Sequence, residues 1–258
     1  MRSELNVSFR KMGAGEPLLI LHGLFGSSDN WQTIAKSYAE HYEVYLIDQR
    51  NHGHAPHLAS HSYNEMSADL LDMVLSLELE NLRILGHSMG GKTAMYFAQQ
   101  HPQRVSRLVI ADMGIRAYEP HHDQIFKGLY AVDVNFCESR KTASDRLSQH
   151  IKDHGVQQFL LKSLYWKEPG KLAWRFNLDV LHTEIDQVLR ALPDTMVNIP
   201  TLFIRGGKSD YIKEDEIPSI HQLFPQAIVE TIPLAGHWLH AERPAEFLEM
   251  TLAFLGNQ

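Results

Sequence analysis

Cysteine is nearly absent from this sequence: Cys137 stands alone among 258 residues, so no intrachain disulfide can form. No stretch approaches the roughly 20 consecutive apolar residues that a membrane-spanning helix needs. Residues 1–10 carry charges and no apolar run of the kind found in a secretion signal. A basic surface is missing too. The formal net charge is −7, whereas nucleic acid and anionic lipid both reward clustered Lys and Arg. No repeat and no low-complexity segment stands out. The expectation is a reduced, cytoplasmic protein that binds neither nucleic acid nor membrane. With 44% hydrophobic and 21% charged residues the profile is that of a globular protein. The length suits one large core carrying an inserted subdomain.

What is present is an alternation. Short apolar runs at 18–21, 44–47, 82–85, 105–111, 201–204 and 228–232 read as buried strands, and amphipathic helical patterns fall between them. That alternation marks an α/β fold, a mostly parallel sheet flanked by helices. Met66, Leu70, Met73, Val74 and Leu77 recur at helical spacing, and Pro244 opens a terminal helix. The strands at 105–111 and 201–204 are separated by far more than the ~2–6 residues of an ordinary connection. Residues 1–114 and 195–258 are therefore expected to form the core, with 115–194 inserted as a helical cap. Leu178, Leu181, Ile185, Val188 and Leu192 make one apolar stripe in it, and Phe126, Tyr130, Phe136, Phe159, Tyr165, Trp166 and Trp174 make it rich in large rings. Ligands bind outside the carboxyl ends of such strands, so Phe126, Tyr130, Phe136, Phe159 and Tyr165 are the expected pocket lining.

Chemistry enters at Gly86-His87-Ser88-Met89-Gly90, a G-x-S-x-G with a strand before it and a helix after it. In that setting the serine sits on a sharp, strained turn, and side chains two positions away on either side would strike neighbouring backbone. The Met89 N–H, at the helix start, is placed to stabilise an oxyanion. A serine hydroxyl needs a base to take its proton. Of 16 histidines, His237 is the candidate, because it follows the last strand at the same edge of the sheet. His52, His54, His57 and His61 cluster in a polar loop and raise the question of a metal. They lack a helix or strand to fix ligand geometry, and a solvated loop is the expectation. His22-Gly23-Leu24-Phe25-Gly26 ends the first apolar strand, where a nucleophile-elbow sheet takes its second oxyanion donor. The Leu24 N–H is the first choice there and Phe25 the second.

Taken together, His22-Gly23, Asp48-Gln49-Arg50-Asn51-His52-Gly53, Gly86-His87-Ser88-Met89-Gly90-Gly91-Lys92 and Gly236-His237-Trp238 resemble the α/β-hydrolase superfamily. More narrowly, the sequence is similar to the small YbfF-type esterases, and Trp174-Arg175-Phe176-Asn177-Leu178-Asp179 extends the likeness into the insert. The resemblance implies hydrolysis of small-molecule carboxylic esters or acyl thioesters, acyl-CoA included, with no metal and no organic cofactor. For the orienting acid it leaves two positions open. Most of the superfamily uses the place held by Asp210, in Gly206-Gly207-Lys208-Ser209-Asp210-Tyr211. The narrower group keeps an acid matching Asp112, and Asp112 is the expectation. Serine at position 88 argues against epoxide opening and dehalogenation, which need a carboxylate nucleophile. Two other readings use the same fold: a carbon–carbon bond hydrolase on the same triad, and a ligand receptor without turnover.

Overall fold

A computed structural model of the protein describes residues 5–132, 137 and 139–256. Among them, the strands β1 (Ser8–Met12), β2 (Pro17–Leu21), β3 (Glu43–Asp48), β4 (Leu82–His87), β5 (Val105–Ala111), β8 (Thr201–Gly206) and β9 (Ala227–Ile232) form one sheet in the order β1-β3-β2-β4-β5-β8-β9. The two remaining strands, β6 (Leu164–Glu168) and β7 (Lys171–Trp174), pair as a separate hairpin. β1 runs antiparallel to β3, and every other pairing in the large sheet is parallel. The parallel strands therefore end on one edge. There His22, Asp48, Ser88 and Asp112 each follow or close a strand.

The centre of the sheet is buried on both faces, which is why its strands read as continuous apolar runs rather than alternating ones. All six residues of β4 are buried. Apolar side chains fill both faces. Leu19, Leu21 and Ile84 pack under one set of helices, and Leu18, Ile20 and Leu85 under the other. Burying one such side chain fully contributes about 1.5–3 kcal/mol. Helix Met89–Gln100 lies unusually close to the sheet, since a Cβ on Gly90 would stand 2.4 Å from the Leu21 carbonyl oxygen. No helix among the described residues is long and apolar enough to cross a membrane.

Residues between β5 and β8 depart from the helical expectation in two ways. Helices Asp123–Ala131, Arg140–His150 and His154–Lys162 are present, but the β6–β7 hairpin follows them. Tyr165, Trp166 and Trp174 sit on its strands, where aromatic residues pack well on a pleated surface. The stripe from Leu178 to Leu192 is two short helices, Leu178–Thr183 and Ile185–Leu189, with Leu192 beyond them. The segment has its own core, in which Phe126, Leu129, Leu147, Leu160 and Phe176 cluster with Phe25 of the loop after β2. Phe25 meets Phe176 at 5.2 Å and Phe126 at 5.6 Å between ring centres. Hydrogen bonds dock it as well: Asn177 N–H donates to Asn51 O at 2.9 Å, and Ser163 Oγ donates to Phe25 O at 2.8 Å.

Candidate active site

Everything at the site hangs from the turn that ends β4. Ser88 has φ 54° and ψ −122°, a left-handed conformation that costs a non-glycine residue about 1–3 kcal/mol. The surroundings hold it there. Ser88 N–H donates to Ala111 O at 3.1 Å, and its carbonyl accepts from Lys92 N–H at 3.1 Å. The flanking glycines have a steric cause: a Cβ on Gly86 would lie 2.3 Å from the Gly90 carbonyl oxygen. Ser88 thus caps helix Met89–Gln100, whose first N–H groups have no partner within the helix.

His237 follows β9 by a short loop and comes over the same edge. Its Nδ1–H donates to Asp112 Oδ2 at 2.7 Å. Asp112 is fully buried at the end of β5, with φ 48°, and its carboxylate accepts three hydrogen bonds. Gly206 N–H donates to Oδ1 at 2.9 Å, and Ser209 Oγ donates to Oδ2. Asp210 behaves differently. It is exposed, and its backbone carbonyl accepts from Arg116 at 3.1 Å. The structure brings Asp112, not Asp210, to His237. Tyr211 stacks on the His237 ring at 4.1 Å between centres, and burial pushes its phenol up to about 12, so it stays neutral. His87 is buried. Its Nε2–H donates to the His237 carbonyl at 2.8 Å, tying the turn to the histidine loop, and desolvation holds it well below the usual imidazole range.

The loop after β2 forms the opposite wall. Gly23 passes so close that an added Cβ would stand 3.1 Å from Ser88 Cβ. Phe25 N–H donates to His52 Nε2 at 3.1 Å, which removes the second-choice oxyanion donor, while no such acceptor meets Leu24 N–H among the described residues. His52 is therefore a buried acceptor whose Nδ1–H donates to Arg50 O at 3.0 Å; it does not sit in a solvated loop. His61 is buried as well, and only His54 and His57 of the four are exposed. Desolvation lowers both buried rings, His61 to about 3, so both are neutral. His22 works similarly, with Nε2 accepting from Gln49 N–H at 3.1 Å. Among the described residues no cluster of His, Cys, Asp and Glu could hold a metal ion. Gly53, at φ 58°, gives Asp48 room, since a Cβ there would stand 2.2 Å from the carboxylate carbon; the Asp48 Oδ1 accepts from Ser28 N–H and its Oδ2 from His54 N–H.

Ser88 and His237 line one cavity of about 120 Å³, together with Leu24, Ile125, Val156, Phe159, Leu160 and Trp238. Of the expected rings that fall among the described residues, only Phe159 lines it. Phe126 packs behind Phe25. Tyr130 is exposed and donates to Asp179 at 2.9 Å, and the Arg175 guanidinium lies 4.4 Å from the Tyr165 ring centre. Phe136 lies outside the described residues. Sequence reasoning missed Ser209, Tyr211, His52 and His87 as site neighbours. A signal existed for the first two alone, in the Gly-Gly loop already suspected of holding an acid.

Comparison with known proteins places the chain in a family. A family model described as the alpha/beta hydrolase fold matches residues 16–128. The mouse sn-1-specific diacylglycerol lipase ABHD11 is 38% identical over 248 residues, covering 92% of this chain and 80% of the relative. The chain belongs to the α/β-hydrolase family. Esterase YbfF of Escherichia coli K12 is 34% identical over 242 residues, covering 93% of each chain. A solved marine microorganism esterase superposes with a TM-score of 0.94 at 42% identity, over 97% of this chain and 100% of its own. The enzyme class is carboxylic-ester hydrolase.

Proposed function

We propose that the protein hydrolyses small-molecule acyl esters, and acyl thioesters by the same route, through an acyl-enzyme on Ser88. His237 takes the Ser88 proton as the hydroxyl attacks the acyl carbon, then returns it to the leaving alcohol or thiol. Asp112 accepts the other ring N–H, fixes the tautomer and stabilises the imidazolium. The N–H groups of Met89 and Leu24 hold the oxyanion. Water then repeats the sequence on the acyl-enzyme. Residues 115–194 serve as the cap, contributing Ile125, Val156, Phe159 and Leu160 to the cavity wall. The observation that carries this reading is the 2.7 Å bond from the ring N–H of His237, which shares a cavity with a strained serine, to the buried Asp112 carboxylate.

Ser88→Ala tests it. The side chain is small, and its loss leaves the turn's hydrogen bonds in place, so folding should persist while ester turnover falls by about 10⁶, the scale seen when such a nucleophile is removed. A fluorophosphonate probe should label the parent protein at Ser88 and leave the variant unlabelled. Labelling of the alanine variant, or undiminished turnover, sinks the assignment. Running acyl-CoA thioesters beside oxygen esters of the same acyl group settles the range of leaving groups.

A further inference from the structure

The Ser88 cavity lies between two larger ones. On one side it shares Gly23, His87, Phe159 and Trp238 with a cavity of about 420 Å³. On the other it shares His121, Tyr211 and His237 with a second cavity of about 420 Å³. Among the described residues, none lines both of the larger cavities. Their walls differ. The first is built on buried rings: Trp31 and His240 stack at 4.1 Å between centres, and His87 lies 4.9 Å from His240. Burial lowers both imidazoles, His240 to about 3, so both rings are neutral. Lys162, Asp153 and Glu242 also line that cavity. The second is bordered by the exposed residues Glu119, Lys208 and Asp210, and by Arg116, which is paired with Glu216.

We propose, resting on the acyl-enzyme reading above, that the acyl chain runs into the Trp31–His240 cavity and the leaving group lies in the Lys208 cavity. His237 decides the direction. Its Nδ1–H is held by Asp112, so Nε2 is the nitrogen that hands the proton to the leaving oxygen or sulfur as its bond to the acyl carbon breaks. The leaving atom must therefore lie within hydrogen-bond reach of that ring. His237 lines the Ser88 cavity and the Lys208 cavity, and among the described residues it is not part of the Trp31–His240 wall. The tetrahedral carbon carries Ser88 Oγ, the oxyanion turned to Met89 and Leu24 N–H, the leaving atom and the chain. The chain takes the side left open, past Phe159 and Trp238. There it meets buried neutral rings and gains from leaving water. Deacylation fits the same arrangement. Water has to replace the leaving group at His237, and exposed residues border the cavity on that side.

Charge reversal tests each cavity separately. The leaving-group pair is 4-acetoxybenzoate and its methyl ester, which share the acetyl group and differ by one charge on the phenol. The acyl pair is the p-nitrophenyl monoester of suberic acid and its methyl ester, which differ by one charge at the end of the chain. Lys208→Glu should lower the charged-to-neutral ratio of kcat/KM about threefold or more in the leaving-group pair. Lys162→Glu should do the same in the acyl pair, and each variant should leave the other pair within about twofold. Both effects should shrink in high salt. The ratio is the readout because damage to the fold lowers charged and neutral esters together. A crossed result, with Lys208→Glu acting on the acyl pair and Lys162→Glu on the leaving-group pair, overturns the proposal. So does a result in which neither variant moves either pair. An ethyl fluorophosphonate, followed by intact mass, keeps the two readings apart. An adduct at Ser88 with crossed or unmoved ratios overturns the cavity assignment alone, and no adduct overturns the acyl-enzyme reading with it.

Discussion

The carboxyl edge of the sheet and the segment between β5 and β8 are built in different ways. At the edge, positions are fixed by backbone: Gly86, Gly90 and Gly53 stand where any Cβ would lie within 2.4 Å of another atom. Ser88 and Asp112 are held at positive φ by main-chain bonds to neighbouring strands. In the inserted segment, positions are fixed by side-chain packing around Phe25 and by a few docking hydrogen bonds. Backbone constraints allow few residue types and leave motifs; packing accepts many apolar side chains of suitable volume and leaves only a composition. The edge should therefore respond to single substitutions steeply in rate, and the insert shallowly.

The steepest expected contrast lies within the edge itself. Asn at position 112 offers an N–H toward His237 and favours the wrong tautomer, which lowers kcat by about 10⁴ in serine proteases, roughly 5 kcal/mol. Asp112→Asn should show a loss of that order. Asp210→Asn should stay within a few-fold, since that carboxylate makes no hydrogen bond among the described residues. Steady-state kinetics on one short ester decide it. If Asp210→Asn is the crippled variant, the assignment of the acid is reversed.

A middle-sized effect is expected where the loop after β2 leans on His52. His52→Leu strips the buried Phe25 N–H of its acceptor. Such a loss costs about 1–3 kcal/mol of stability. It also loosens the loop that presents Leu24 N–H, and a displaced oxyanion donor costs up to about 10²–10³ in kcat. Melting temperature and kcat should fall together, with KM changing less. A variant with a lowered melting point and an unchanged kcat would show that the Leu24 loop is held some other way.

Legibility followed the same division. Gly86, Ser88 and Gly90 could be read because a strained turn admits so few residues, and the parallel strands could be read because burial on both faces makes them uniformly apolar. β1 escaped notice: Ser-Phe-Arg-Lys-Met is an edge strand without an apolar run, paired only with β3. The β6–β7 hairpin escaped too, since its rings look the same on a helix or a strand until periodicity decides, and five- and four-residue strands are too short to show one. His52 and His61 were misjudged because four histidines in a polar stretch suggest exposure, whereas a buried neutral imidazole is a good acceptor for a stray N–H. Choosing between Asp112 and Asp210 needed coordinates, because both follow strands at the same edge.

The smallest effect should appear where the two regions are joined. Lys92, on the helix after Ser88, is buried, and its Nζ donates to Arg116 O at 2.8 Å and to Arg190 O. Those carbonyls lie near the two ends of the inserted segment, so one amine ties both to the core. Its Nζ also lies 4.7 Å from the Tyr118 ring centre. Burial, with the Arg116 charge adding to it, lowers the amine from about 10.5 to about 7. The folded protein thus holds this proton less tightly than the unfolded chain does. Between about pH 7 and 10.5 the unfolded state binds more protons, so this group makes stability rise with pH across that window and level off on either side. Lys92→Met keeps the length of the side chain and removes the titration. The difference in melting temperature between parent and variant, followed from pH 6 to pH 10, should shift in favour of the parent as pH increases, while other titrating groups cancel. A difference that is flat with pH would mean that Lys92 is charged throughout and ties the segment as an ordinary ammonium. One that moves against the parent would mean that the ammonium form is preferred on folding, with the two carbonyls and the Tyr118 face outweighing desolvation.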